Sequence, residues 1–281
     1  MADPMPRGRA RLAVLGSPIG HSQSPALHRA AYARLGLDWE YTAIEMDGTR
    51  LRGFIEGLDA SWRGLSLTMP LKQDVLPILD DVDQVARSTG AANTVLFDGT
   101  SRRGFNTDVG GIVRTLAESD VHRIARGVIV GAGATALSAL VAMSQLGARE
   151  VRVLVRRPGA SRPIAELGGR LGLVVGEAPI SALAELDDAD LVISTLPGTA
   201  GLDVVPNRAL VSAAPLLDVA YDPWPTALGA SWLEGGGRVV HGLGMLLHQA
   251  LLQVRIFVNG DPNAPLDDDD GVLAVMRDAL R

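Results

Sequence analysis

Short apolar runs alternate with amphipathic stretches along the first hundred residues, a pattern typical of an α/β protein. Residues 12–15 form an apolar run that ends at Gly16 and predicts the first strand. Pro25 can occupy the first position of a helix, so the sequence predicts a helix over 25–35 with Ser24 as its N-cap. The same pattern predicts strands over 39–46 and 64–68 and helices over 49–58, 71–79 and 83–88.

A change of pattern follows near residue 93. Asp98-Gly99 separates strand-like runs at 93–97 and 101–105, which is typical of a β-hairpin. A helix is then predicted from Asp108, as its cap, to about residue 118. Beyond it, apolar runs recur at βα spacing and predict a doubly wound parallel sheet: 127–131, 151–155, 173–175, 190–194, 216–219 and 238–240. A long apolar helix over 243–258, an acidic linker over 261–270 and a short helix complete the predicted elements.

Length and composition favour two domains of ordinary size in a chain of 281 residues, 47% of them hydrophobic. The net charge of −6 argues against nucleic acid or an anionic membrane as the main partner. The first ten residues lack an apolar signal segment and are expected to form a loose tail, so we expect a cytoplasmic protein. Without cysteine, disulfides and thiolate metal ligands are excluded, and no metal site is predicted.

Lys72 is the most unusual residue of the chain, because the other 25 of the 26 basic side chains are arginine. A guanidinium stays protonated at any working pH, whereas an amine can release its proton. Lys72 ends the stretch Ser66-Leu67-Thr68-Met69-Pro70-Leu71-Lys72, which follows a predicted strand. A lysine at position 72 therefore indicates a role in proton transfer. The alternative is an ordinary surface lysine in a chain that otherwise uses arginine.

The stretch Gly131-Ala132-Gly133-Ala134-Thr135-Ala136 lies between a predicted buried strand and a predicted helix. Gly131 permits a tight turn, Gly133 lets the backbone approach a pyrophosphate, and Ala136 keeps helix and sheet close. The N–H groups at the start of the helix can bind phosphate. We therefore expect a dinucleotide site, with a purely structural glycine turn as the alternative.

Arg156-Arg157-Pro158 follows the second strand of this unit, where an NAD site has an acidic residue for the ribose 2′-hydroxyl. Two guanidinium groups suit a 2′-phosphate, which they can bind with paired hydrogen bonds. The sequence therefore favours NADP over NAD. The alternative is a pair of solvated arginines at the end of a strand.

Polar side chains also mark the loops of the first half. Ser22 and Ser24 are two residues apart, so in an extended loop both hydroxyls can bind one carboxylate. Asn93 precedes the predicted hairpin and Asp108 follows it. Capping and turn formation are the alternatives for all four residues. Gln249 lies on the long apolar helix, where a buried amide needs hydrogen-bond partners.

Together these motifs resemble the shikimate dehydrogenase family, in order and in spacing, over nearly the whole chain. The matching motifs are Ser22-x-Ser24-Pro25, Thr68-x-Pro70-x-Lys72, Ala92-Asn93-Thr94, Asn106-Thr107-Asp108 and Gly242-x-Gly244-Met245-Leu246-x-x-Gln249. The resemblance implies an α/β protein of two domains. One is a three-layer substrate domain, residues 11–106 with 242–281, and the other is a Rossmann-like NADP domain, residues 107–241. It also implies reversible reduction of 3-dehydroshikimate to shikimate with NADPH, in aromatic amino-acid biosynthesis.

The resemblance assigns roles residue by residue. Lys72 and Asp108 would be the catalytic pair, and Val219 and Gly242 would line the nicotinamide. The implied substrate ligands are Ser22, Ser24, Thr68, Asn93, Gln249 and, nearby, Tyr221. The implied cofactor residues are Gly131, Ala132, Gly133, Ala134, Thr135, Arg156 and Arg157.

Four positions depart from the family pattern. Ser66 replaces the usual Asn and bears on hydrogen bonds inside its loop, whereas Ala134, Leu137 and Val155 bear on NADP affinity. The nearest rival is a quinate/shikimate dehydrogenase that prefers NAD. A methyltransferase would have an acid after the second strand, and a non-catalytic NADP-binding module would have lost Lys72 or Asp108. We expect a monomer or homodimer acting on a small molecule.

Overall fold

The computed structural model of the chain describes residues 9–280. Contacts between Cα atoms divide the chain into two compact units, one of Met1–Thr107 with Leu246–Arg281 and one of Asp108–Met245. The predicted tail falls mostly on residues 1–8, outside the described residues. Its last residue, Ala10, is buried in the core of the first unit.

Strands and helices alternate along the described chain, as the apolar pattern predicts. The elements before residue 108 are β1 (Arg11–Gly16), α1 (Ser24–Arg34), β2 (Glu40–Glu45), α2 (Gly48–Glu56), β3 (Trp62–Leu67), α3 (Leu71–Asp74), β4 (Asp81–Val82), α4 (Gln84–Thr89), β5 (Thr94–Asp98) and β6 (Ser101–Phe105). Those that follow are α5 (Asp108–Glu118), β7 (Arg126–Val130), α6 (Ala134–Gln145), β8 (Glu150–Val155), α7 (Arg162–Arg170), β9 (Val174–Pro179), β10 (Leu191–Ser194), α8 (Arg208–Ala213), β11 (Leu216–Asp218), α9 (Ala227–Glu234), β12 (Val239–His241), α10 (Gly242–Asn259) and α11 (Asp269–Asp278).

The sheet of the first unit has the order β2-β1-β3-β5-β6-β4. Strand β1 runs parallel to both neighbours, and Leu15 lies opposite Leu67 of β3. Strand β5 runs antiparallel to β3, with Thr94 opposite Ser66, and also antiparallel to β6. The carboxyl ends of β1, β3 and β6 and the amino end of β5 therefore share one edge of the sheet.

Alternating apolar residues give this sheet two buried faces. Leu12 and Val14 point into a cluster with α1, α10 and α11, while Ala13 and Leu15 point into a cluster with α2, α3 and α4. Successive side chains of a strand point to opposite faces, so a run that is apolar throughout must be covered on both sides. The unit is thus a three-layer α/β sandwich, as predicted.

The second unit contains a parallel sheet of order β12-β11-β10-β7-β8-β9. The chain proceeds from β7 outward to β9, then returns to β10 on the other side of β7 and continues to β12. Gly127 and Ile129 face α6, since a Cβ at Gly127 would collide with Met143. Val128 and Val130 face the opposite cluster, which includes α8 and α9. This is a doubly wound sheet, and the predicted fold class is confirmed.

Three local predictions are wrong. Asp108, predicted as the cap of α5, is the first residue of that helix. The helix expected over 71–79 ends at Asp74, and a 3₁₀ turn follows over Leu76–Ile78. Pro77 lacks the N–H group that a continuous α-helix would need there. The N-cap position of α1 is Gln23 rather than Ser24, and no side chain caps the helix, because the backbone is already helical at Gln23.

Candidate active site

The loops after β1 and β3 lie side by side at the shared edge of the first sheet. The Ser17 N–H donates to the Met69 carbonyl at 3.0 Å, and the Thr68 N–H donates to the Leu15 carbonyl at 2.9 Å. Gly16 allows this approach, because a Cβ there would collide with the methyl group of Thr68. The serine-rich loop and the Lys72 loop are therefore parts of one surface.

Lys72 lies in α3, immediately after the fully buried Leu71, and is itself half-buried. Its carbonyl accepts a hydrogen bond from the Ala92 N–H at 2.8 Å. This bond holds the start of α3 against the segment that leads to Asn93. The predicted proton donor and the predicted amide ligand thus belong to neighbouring segments of the same unit.

Ser24 is buried at the start of α1, and its N–H donates to the Ser22 hydroxyl over 3.4 Å. Since no side chain caps α1, the capping alternative is wrong for Ser24. Thr68 is half-buried on the neighbouring loop. The three hydroxyls are carried by adjacent loops at the carboxyl ends of parallel strands.

Asn93, Thr107 and Gln249 form a buried polar cluster at the same edge. The Asn93 Nδ2 donates to Thr107 Oγ1 at 2.9 Å and to Gln249 Oε1 at 3.3 Å. The Asn93 Oδ1 accepts from the Thr107 N–H at 2.9 Å. These bonds span 14 to 156 residues of sequence, so Asn93 joins distant segments and is more than a turn residue.

A second layer of polar side chains lies beneath this cluster. The sequence predicted a role only for Ser66, inside its own loop, whereas Ser66 lies in β3 and bonds to the distant residues Tyr41 and Gln253. Gln253 contacts Asn93, Ser66 and His28, and Ser66 in turn accepts from the Tyr41 hydroxyl at 2.7 Å. Burial lowers the pKa of His28 from 6.5 to about 3, and burial also raises the pKa of Tyr41. One signal was available: Gln253 lies four residues after Gln249 on the same apolar helix, hence on the same face.

Asp108 is the first residue of α5 and the first of the second unit, and it is buried. The preceding residue, Thr107, is the last of the first unit and is held by Asn93. The chain thus leaves the first unit from the polar cluster and places a carboxylate at the next position.

The glycine loop of the second unit follows the carboxyl end of β7. Gly131 has φ +108°, and a Cβ there would lie 2.5 Å from Thr195 Oγ1. Helix α6 begins after Gly133 without a side-chain cap and without an acidic residue in its first turn. A Cβ at Gly133 would meet nothing within 4 Å. The helix start therefore presents N–H donors beside open space, an arrangement that fits a phosphate.

Arg156 and Arg157 are exposed directly after β8, and no carboxylate in the described part of the chain pairs with either. Their loop is fastened by Glu177 of β9, which sequence reasoning missed. The Glu177 carboxylate accepts from the Gly159 N–H at 2.8 Å and from the N–H and hydroxyl of Ser161. Hydrogen bonds from Ser161 lower the pKa of Glu177. Glu177 therefore orders the loop that carries the two arginines.

Val219 and Tyr221 follow β11 and are half-buried. Gly242 opens α10 next to Val219, where a Cβ would collide with the Val219 carbonyl. Asp218, at the end of β11, accepts from the Thr226 hydroxyl, and burial raises the pKa of Asp218. The predicted nicotinamide residues thus lie at the same edge of the second sheet as the glycine loop.

Within residues 9–280, no group of three or more His, Asp or Glu side chains could hold a metal ion. No helix formed by these residues has both the length and the apolar character needed to cross a bilayer.

Comparisons with known proteins agree with this architecture. The family model of the shikimate dehydrogenase substrate binding domain matches residues 14–95. The shikimate dehydrogenase (NADP(+)) of Methanothermobacter thermautotrophicus is 32% identical over 276 residues, which are 95% of this chain and 94% of that protein.

Solved structures give the same result. A shikimate 5-dehydrogenase from Mycobacterium fortuitum has a TM-score of 0.80 at 37% identity, and the match covers 97% of this chain and 98% of that one. The shikimate 5-dehydrogenase of Thermus thermophilus, solved with NADP(H) and shikimate, has a TM-score of 0.79 at 30% identity and covers 96% and 99%. With a relative 32% identical over 95% of its length, the chain belongs to the shikimate dehydrogenase family.

Proposed function

We propose that this chain catalyses the reversible, NADP-dependent reduction of 3-dehydroshikimate to shikimate, a step in aromatic amino-acid biosynthesis. The observation that carries the proposal is family membership over 95% of the chain together with the retained residues Lys72 and Asp108. The substrate would bind to the first unit and the cofactor to the second. The units meet in sequence at 107/108 and 245/246.

Lys72 is the proposed proton donor. NADPH, when bound, would supply the hydride for the ketone carbon. The ammonium of Lys72 would deliver the proton to the ketone oxygen, which would leave a hydroxyl group. In the oxidative direction the neutral amine takes that proton back. Asp108 is the proposed partner that orients Lys72 and accepts from a substrate hydroxyl.

The proposed substrate ligands supply neutral donors and acceptors. Ser22, Ser24 and Thr68 offer hydroxyls from adjacent loops, and Asn93 and Gln249 offer amides. Tyr221 is assigned to the same substrate from the second unit. Polar groups of this kind reject analogues that lack a hydroxyl, because the unmatched group would stay buried without a partner.

The residues present in the second unit suit NADP. Gly131 to Thr135 provide a tight turn and an uncapped helix start, which support binding of the pyrophosphate. Arg156 and Arg157 are the proposed ligands of the 2′-phosphate, and Val219 and Gly242 are proposed to line the nicotinamide. We further propose a cytoplasmic monomer or homodimer, which light scattering of the purified protein would resolve.

A spectrophotometric assay tests the function. Purified protein is mixed with shikimate or quinate and with NADP⁺ or NAD⁺, and formation of the reduced nicotinamide is followed by absorbance. We expect the highest kcat/KM with shikimate and NADP⁺. Preference for quinate or NAD⁺ would support the broader dehydrogenase instead, and no turnover with any pair would refute the proposal.

A further inference from the structure

We propose that Gln253 is a positioning residue that orients the amide of Asn93, and through it the amide of Gln249, by a directed chain of hydrogen bonds. The inference rests on the proposed function, in which these two amides bind the substrate. It adds Gln253 and Thr94, to which that function assigns no role.

The direction of this hydrogen-bond chain is fixed at the side-chain nitrogen of Gln253. The Gln253 side-chain nitrogen lies 3.1 Å from the Asn93 carbonyl oxygen, which can only accept a hydrogen bond. A reversed amide would place two oxygens against each other. The same nitrogen lies 3.0 Å from Thr94 Oγ1, so Thr94 accepts from Gln253.

The orientation of the Asn93 amide follows from Thr94. A threonine hydroxyl carries one proton. Since Thr94 already accepts from Gln253, its own proton goes to Asn93 Oδ1 at 2.9 Å. The Thr107 N–H supplies a second donor to that oxygen at 2.9 Å. Two donors therefore converge on Oδ1, and Nδ2 points the other way.

Gln249 is oriented in the next step. The Asn93 Nδ2 faces Gln249 Oε1 at 3.3 Å, and the Gln249 Nε2 donates to the Leu246 carbonyl at 2.9 Å. The oxygen end of Gln249 is thereby held toward Asn93. Without this order each amide could present oxygen or nitrogen to the substrate.

Gln253 is itself held at its oxygen. The Ser66 hydroxyl donates to Gln253 Oε1 at 2.9 Å, because an amide oxygen can only accept, and Ser66 accepts in turn from the Tyr41 hydroxyl. The His28 Nε2 lies 3.2 Å from the same oxygen, and the Nδ1 lies 3.1 Å from the Tyr32 hydroxyl. A neutral imidazole with its proton on Nε2 satisfies both contacts.

These supporting groups lie out of reach of solvent. Gln253 is 2% exposed and His28, Tyr41 and Thr94 are 0–1% exposed. A buried hydrogen bond that loses one partner leaves the other group unsatisfied, so this layer is rigid. It belongs entirely to the first unit, as do Asn93 and Gln249.

Thr94→Val tests the hydrogen-bond chain with almost no change of shape, since it replaces the hydroxyl with a methyl group of similar size. We expect KM for shikimate to rise about tenfold, the net value of roughly one hydrogen bond. The KM for NADP⁺ should stay within about twofold, and Thr94→Ser should restore shikimate binding. Gln253→Met should raise KM further, because it removes the donor and the acceptor together.

Thr115→Val is the matched control. Thr115 is a buried threonine whose hydroxyl donates within its own helix, to the Gly111 carbonyl at 2.8 Å. We expect it to lower the thermal midpoint as Thr94→Val does, with KM for shikimate unchanged. Equal KM values for Thr94→Val and Thr115→Val would overturn the proposal, even where Gln253→Met fails to fold.

Asn93→Ala separates this proposal from the one on which it rests. We expect a rise in KM of about a hundredfold. If that variant binds shikimate normally, Asn93 is not a substrate ligand. Both the proposed substrate site and the proposed hydrogen-bond chain are then refuted. If Asn93→Ala raises KM for shikimate and Thr94→Val has the same KM as Thr115→Val, only the proposed hydrogen-bond chain is refuted.

Discussion

The two units carry their proposed ligand-binding residues in different ways. In the first unit the polar residues are side chains bonded to one another across long sequence distances, as with Asn93 and Gln249, 156 residues apart. In the second unit the glycine loop offers main-chain N–H groups at a helix start, and no side chain caps them. One arrangement is built from tertiary contacts and the other from local backbone geometry.

This difference predicts how each region responds to mutation. Loss of one side chain from an interlocked cluster leaves buried partners unsatisfied, so the effect spreads to neighbours. A backbone loop is insensitive to most side-chain changes and very sensitive to a Cβ where φ is positive. Substitutions of polar side chains in the first unit should therefore change the kinetics with shikimate. In the second unit, substitutions at a few backbone positions should have the largest effect on cofactor binding.

Lys72→Ala should have the largest effect. Removal of a proton donor that acts in the transition state should lower kcat about a thousandfold, with KM for shikimate within about threefold. Lys72→Arg is the matched variant, because it keeps the positive charge and cannot release a proton. Steady-state kinetics of both variants would show this.

Two outcomes would change the assignment of Lys72. Near-normal turnover in Lys72→Ala would remove it from the mechanism. Near-normal turnover in Lys72→Arg alone would show that the charge matters and that proton transfer does not.

Gly131→Ala should be the most damaging change in the second unit. The residue has φ +108°, which strains any residue with a Cβ, and the new Cβ would lie 2.5 Å from Thr195 Oγ1, so Thr195 or the loop must shift. We expect KM for NADPH to rise about a hundredfold. Calorimetric binding of shikimate without cofactor should be unchanged. Gly169→Ala is the control, since a Cβ there meets nothing within 4 Å and its φ is not positive; cofactor binding equal to that control would contradict the prediction.

Much of the fold could be predicted because its signals are local. Asp98-Gly99 between two strand-like runs gave the β5–β6 hairpin, where Gly99 has φ +58°. Apolar runs at βα spacing gave the doubly wound sheet. The predicted helix over 71–79 failed, because its apolar pattern continues through Pro77 whereas its hydrogen bonds cannot.

The candidate sites follow the same rule. The glycine loop and Lys72 were visible from neighbouring residues or from composition. Gln253 and Glu177 were not visible, because their partners lie on other segments of the chain. Gln253 donates to Asn93, 160 residues away, and Glu177 accepts from Gly159 in the loop after β8. A lone amide on an apolar helix shows that partners are needed without showing which they are.

Arg156→Ala should have an intermediate effect, limited to one cofactor. Loss of a charge-assisted contact to the 2′-phosphate costs about 2 kcal/mol, so KM for NADPH should rise about thirtyfold. The KM for NADH should change by no more than about twofold. Arg152→Ala, at an exposed arginine of β8, the strand that precedes Arg156, is the control and should affect neither. Equal loss for both cofactors would show that Arg156 does not contact the 2′-phosphate.

The smallest effect concerns the pH dependence of stability in the first unit. Burial lowers the pKa of His28 from 6.5 to about 3, so the unfolded chain binds one proton more than the folded chain between these values. The free energy of unfolding should therefore fall as the pH drops below about 6.5, by at most about 1.4 kcal/mol per pH unit, and by about 2 kcal/mol at pH 5.

His28→Gln lacks the titrating group, so its urea-unfolding free energy should fall less steeply between pH 6.5 and 5, although it starts from a lower value. Identical slopes for the parent and His28→Gln would mean that the His28 site admits a proton in the folded state, and the buried polar layer would then be less closed than its contacts indicate.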